Sequence, residues 1–83
     1  MKTTRYFEEQ VLRKRPYIQR EWREAVAAAP LRRQVQDDGR IRCWGEVVWA
    51  GEVRPRVLRV VLLADGETVH NAFFDRNFRA EPP

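Results

Sequence analysis

Asp65-Gly66 stands between two stretches rich in β-branched and aromatic residues, Val57–Ala64 (VLRVVLLA) and Glu67–Phe74 (ETVHNAFF). An Asp-Gly pair suits the positive φ angles of a tight primed turn, so this part of the chain is constrained to fold back as a β-hairpin. The first arm is apolar at nearly every position, which predicts a strand covered on both sides or near the sheet centre. Direct closure of a two-residue turn pairs Ala64 with Glu67, Val61 with His70, Val60 with Asn71 and Arg59 with Ala72. That register puts Arg59, Val61 and His70 on one face and Val60, Asn71 and Phe73 on the other.

Upstream, period-two alternation continues. Arg40–Trp49 sets Ile41, Cys43, Val47 and Trp49 on one face and Arg40, Arg42, Trp44 and Glu46 on the other, with Gly45 marking a bulge or a close backbone approach. Gln36-Asp37-Asp38-Gly39 reads as a turn, which makes Leu31–Gln36 a short edge strand. Before Pro30 the period is helical. Phe7 and Val11 lie four apart in Thr4–Arg15, where Thr3 or Thr4 can cap, acids lie early and Arg13, Lys14 and Arg15 lie late, before Pro16. Ile18, Trp22, Ala25, Val26 and Ala29 form a second helical stripe, with Arg20, Glu21, Arg23 and Glu24 facing away. The expected fold is α+β, with two N-terminal helices packed on a three- to four-stranded antiparallel sheet. It is read as a single domain over residues 1–83 with a frayed tail from about residue 79.

With 83 residues, one core is the economical arrangement. The net charge of +4 favours a polyanionic partner, and the cations are nearly all arginine, Lys2 and Lys14 being the lysines. Arginine offers a planar fork of donors that matches phosphate or carboxylate. Cys43 is the lone cysteine, read as a small buried hydrophobe, and with no partner for a disulfide the chain is expected to be cytoplasmic. The longest apolar run, Val60–Ala64, is too short to span a bilayer, so no membrane is expected as a partner. No Cys and His cluster, carboxylate array or glycine-rich loop points to a metal or cofactor, so none is expected, and the absence of serine excludes a serine nucleophile.

Catalysis, if present, is therefore metal-free acid and base work. His70 titrates near neutrality and is the candidate proton carrier, with Arg59 or Arg76 on phosphate and Asp75, Glu46 or Tyr17 as a second carrier, unless arginine and water suffice. The alternative is that His70 is a half-buried strand residue and that Asp75 and Arg76 form a local ion pair pinning the chain. Arg40 and Arg42 share a face with Trp44, an arrangement able to receive a phosphate and stack a base, though it is also common in solvated sheets. Arg13, Lys14 and Arg15 extend the basic footprint for RNA or DNA.

The stretch from Gln36 to Gly45 (QDDGRIRCWG), with Leu58–Val61 (LRVV) and Thr68–Phe78 (TVHNAFFDRNF), resembles a family of small bacterial and archaeal proteins. Its order of elements is similar to the RelE-like and BrnT-like toxin superfamily. That resemblance implies paired helices before a curved antiparallel sheet, RNA as substrate, and a small acidic antitoxin-like protein as partner. It also implies His70 as acid and base with Arg59 and Arg76 on phosphate. Three readings follow: a toxin-like RNA-binding protein with metal-independent endoribonuclease activity, a non-catalytic RNA- or protein-interaction module, and a structural protein. The last would form a homodimer through a sheet edge or the helices.

Overall fold

The change of hydrophobic period at Pro30 is where the chain passes from helix to sheet in the computed structural model, which describes residues 1–79. The expected tail lies, from residue 80 on, outside the described residues. The first helical segment, α1, is a π-helical stretch Phe7–Val11 that runs into an α-helical turn Leu12–Lys14. Its wide turn closes with the Leu12 N–H on the Phe7 carbonyl, five residues back. Thr4 caps the segment: its hydroxyl accepts from the Phe7 N–H at 3.0 Å and its carbonyl from the Glu8 N–H at 3.1 Å. The second helix, α2, spans Arg20–Ala28.

Four strands follow, β1 (Arg32–Val35), β2 (Ile41–Val47), β3 (Arg56–Leu62) and β4 (Val69–Phe74), in the order β1-β2-β3-β4 with every neighbour antiparallel. The fold is thus α+β with the helices N-terminal to the sheet. β1 is an edge strand with all four residues exposed. The outer edge of β4 is occupied by the N-terminal segment, where Val69 donates to the Lys2 carbonyl at 2.8 Å and Thr4 donates to the Val69 carbonyl at 3.0 Å. Thr4 therefore both starts α1 and ties it to the last strand.

The core lies between the helices and one sheet face. Phe7 and Val11 of α1, Ile18 and Val26 close over Ile41, Cys43 and Val47 of β2, Leu58, Val60 and Leu62 of β3, and Val69 and Ala72 of β4. Each large aliphatic or aromatic side chain sunk here contributes about 1.5–3 kcal/mol. Gly45 marks a close approach. β2 alternates through it without interruption, and a Cβ at this position would lie 2.9 Å from Cγ2 of Val26, so the missing side chain lets α2 settle on β2.

Three expectations change. Arg23, placed by periodicity on the solvent side, is 9% exposed, whereas Ala25 and Ala29 of the expected apolar stripe are exposed. The buried stripe has turned toward Trp22, Arg23 and Val26, with the Arg23 guanidinium 4.9 Å from the Phe7 ring centre.

The hairpin register also shifts. Leu62 pairs with Val69 as expected, but His70 is the extra residue of a β-bulge, and beyond it Val61 pairs with Asn71, Val60 with Ala72 and Arg59 with Phe73. The turn is not the two-residue primed type either. Gly66 has φ +72°, but no non-glycine residue has a positive φ, and the reversal is a longer loop closed by the Leu63 N–H on the Thr68 carbonyl at 2.8 Å. Asp65 organises that loop, accepting from the Glu67 and Thr68 amides at 2.9 Å each and from the Thr68 hydroxyl at 2.5 Å. Those donors, the Thr68 hydroxyl foremost, hold its carboxyl down at about 2.

Gly45→Ala is expected to cost about 1–3 kcal/mol because Val26 must move, read as a lower urea midpoint at unchanged slope. Asp65 ionises more readily in the folded chain than in the unfolded one, so its contribution is complete above the unfolded value of 3.8 and drains away as pH falls toward 2. Urea melts of wild type and Asp65→Asn should therefore differ at neutral pH and converge at the acid end of that window.

Candidate nucleic-acid interface

The face of the sheet away from the helices carries a row of side chains that the register alone brings into line. Arg32 pairs with Trp44, Trp44 with Arg59 and Arg59 with Phe73, so guanidinium and aromatic groups alternate across all four strands. The Arg59 guanidinium lies 5.4 Å from the Trp44 ring centre and 5.0 Å from that of Phe73, a cation held between two π faces. The adjacent row is Gln34, Arg42, Val61 and Asn71. With its amide oxygen turned toward Arg42, Gln36 accepts from Nη2 at 2.7 Å and from Nε at 3.1 Å. Two groups from outside the sheet border this face. Phe78 stacks on Trp44 at 5.4 Å between ring centres, and Arg15 at the end of α1 reaches Phe73 at 5.9 Å.

Asp75, just past β4, holds the arrangement together. Its Oδ2 accepts from the Trp44 indole N–H at 2.9 Å and lies 3.8 Å from Arg59 Nη1, while Oδ1 accepts from the Asn77 amide at 3.0 Å. Burial and the neighbouring charge of Arg42 pull the Arg59 pKa down, and Asp75 opposes both. Asp75 does pin the strand end, but through Trp44, Arg59 and Asn77 and not through an ion pair with Arg76. The Arg76 side chain is exposed and lines a cleft of about 410 Å³ with Arg56, Phe74 and Phe78.

His70 does not join this group. As the bulged residue it turns toward the N-terminal segment, where its ring stacks on Tyr6 at 4.9 Å and Nδ1 lies 3.0 Å from the Thr4 hydroxyl. The Thr4 hydroxyl thus bridges the Phe7 amide, from which it accepts, and the His70 ring. Burial, with the charge of Arg40 second, lowers the His70 pKa and so favours the neutral ring. The shared face expected for His70 and Arg59 is thus replaced by one in which Arg59 faces Phe73. The bulge is the physical reason, since one extra residue reverses the alternation beyond it.

Trp44 was expected to stack a base, but it is 6% exposed beneath Phe78, with Arg59 against its ring and its indole N–H bound to Asp75. The aromatic surface left open on this face is the half-buried Phe73 and Phe78, which the alternation alone did not single out. Arg40 lies before β2 and pairs with Asp38 at 3.8 Å. Arg13 and Lys14 are exposed at the end of α1, and Arg15, half-buried, is the member of that basic triplet that reaches the sheet. Among the described residues no group of three or more His, Cys, Asp or Glu side chains is placed to hold a metal ion. No helix among them is long and apolar enough to cross a membrane. Comparison with protein-family models, with curated proteins and with solved structures finds no match.

Replacing Asp75 with alanine leaves the Trp44 N–H and the Arg59 guanidinium without their shared acceptor. The expected cost is about 1–3 kcal/mol, with a change in tryptophan emission. Asp75→Asn keeps an acceptor for the indole and should cost less, so equal losses in the two variants would show that the hydrogen bond is not what matters.

Proposed function

We propose that the protein is a binding module for single-stranded RNA, which lies across the outer sheet face with phosphates on Arg32 and Arg42 and bases against Phe73 and Phe78. The observation that carries this reading is the cross-strand row Arg32, Trp44, Arg59, Phe73. Alternating guanidinium and aromatic groups suit a strand of nucleotides, because phosphate needs planar donors and every base has a face to stack. Arg32 and Arg42 are the cations best placed for phosphate, since Arg59 is already engaged by Asp75 and by two rings. Glu46, exposed on β2, marks one limit of the basic surface.

The resemblance to RelE-like and BrnT-like toxins suggests RNA as the polyanion. Cleavage is not part of the proposal. Metal-independent cleavage needs a proton carrier beside a guanidinium, whereas His70 packs on Tyr6 and Thr4 and Asp75 is occupied by Trp44 and Arg59. The same reading places the protein in the cytoplasm, in keeping with the buried free thiol of Cys43.

Fluorescence anisotropy with a labelled single-stranded RNA tests the proposal. Two phosphate contacts predict that log K falls with log salt with a slope of about −1.4, and Arg42→Gln should reduce its magnitude by about 0.7. Phe73→Ala should weaken binding by about 1–3 kcal/mol at constant salt. His70→Ala should bind as wild type does, and RNA incubated in EDTA should stay intact. Salt-insensitive binding, or binding indifferent to both Arg42 and Phe73, would rule the module out. His70-dependent cleavage would restore the ribonuclease reading. Saturation of the same face by an acidic protein, with no RNA bound, would assign the surface to that partner.

A further inference from the structure

The helical layer holds a second cationic feature, on the side of the molecule opposite the outer sheet face. Arg23 in the first half of α2 is 9% exposed, and its Nε has no hydrogen-bond partner among the described residues. The ion pairs among those residues do not include it either. An Nε–H withdrawn from water without a partner is costly, because the donor loses hydration and gains nothing in return. Its contact with the Phe7 ring, 4.9 Å from the ring centre, satisfies the face of the guanidinium but none of its N–H groups, which lie in the plane.

The surroundings make this arginine more than a packing residue. It lines a cleft of about 320 Å³ between α1 and the start of α2, together with Arg20, Glu8 and Leu12. Arg20 contributes a second guanidinium, of which Nε is turned to Glu24 at 3.4 Å while the side chain stays largely exposed. The first turn of α2 has no side-chain cap, so the positive end of a nine-residue helix adds to the field of the two arginines. Glu8 lines the same cleft without reaching ion-pair distance from Arg23 and raises its pKa only through space.

We propose that this cleft is a binding site for a small oxyanion, with the Arg23 guanidinium as its principal donor, Arg20 beside it and the open first turn of α2 behind. A phosphate monoester and a carboxylate share the required chemistry, two or more acceptor oxygens on one negative group matched to a planar fork. The site stands apart from the proposed RNA surface and does not depend on it.

The test uses the full chain with inorganic phosphate and, separately, acetate, each against sodium chloride at equal ionic strength. At least one of the two should raise the melting temperature saturably and shift the backbone amide resonances of Arg20 to Arg23. The larger response distinguishes phosphate from carboxylate as the preferred group. Arg23→Met keeps the apolar cover over Phe7 and should abolish both effects. Arg20→Gln should weaken them and serves as the second probe should the methionine variant not fold. Glu8→Gln should tighten binding, because it removes the negative charge from the cleft wall. The proposal is overturned if neither anion binds saturably. It is also overturned if Arg23→Met responds as wild type does, if Arg20→Gln and Glu8→Gln leave the affinity unchanged, or if the amide shifts fall on the outer sheet face instead.

Discussion

One extra residue in β4 decides what the sheet presents on each side. Val69 and Ala72 are both fully buried in the core although they lie three positions apart, a spacing that strict alternation cannot accommodate. The bulge at His70 resolves the conflict by adding a residue between them. Everything C-terminal to it then takes the opposite face from the one simple alternation would assign. Phe73 and Asn71 come to lie beside Arg59 and Val61, and His70 is released toward Thr4 and Tyr6.

The surface created in this way is held by the groups that define it. Asp75 joins β4 to β2 through the Trp44 indole and to β3 through Arg59, so the outer face is a connected network of cations, rings and one carboxylate. Such a network fixes the direction of the Arg59 guanidinium. Trp44 and Asp75 are thereby committed to structure, which leaves Arg32, Arg42, Phe73 and Phe78 as the more exposed groups of this face. A similar arrangement recurs where the β2–β3 connection enters β3. There Arg56 grips Glu52 at 2.7 and 2.6 Å and covers Trp49 and Phe74, which pack with Tyr17 and Trp22.

On the helical side, small and charged residues solve the packing together. Gly45 admits Val26 to the sheet, and the consequent seating of α2 carries Arg23 inward over Phe7. A side chain that belongs by type to the solvent thus lies at the junction of α1, α2 and the sheet. Thr4 serves that junction from below, capping α1, pairing along β4 and meeting His70 within a few ångströms.

Local chemistry determined much of this protein from the sequence alone. The change of period at Pro30, a cap at Thr3 or Thr4, the turn before Arg40, the alternation of Ile41, Cys43 and Val47 and the apolar strand through Val60 all follow from interactions between residues near in sequence, whereas the choice at Gly45 between a bulge and a close approach was made by the seating of Val26. Which side chains meet across the sheet was decided only by the tertiary structure. Asp65-Gly66 announced a reversal but not its length, because the Asp65 carboxylate drew the Glu67 and Thr68 amides into a longer loop. The bulge at His70 depends on the simultaneous demand of Val69 and Ala72 for the core, a condition set by the helices above them. Propensity acts over a few residues, whereas the register of β4, the burial of Arg23 and the meeting of Trp44 with Asp75 are settled by packing between segments far apart in the chain.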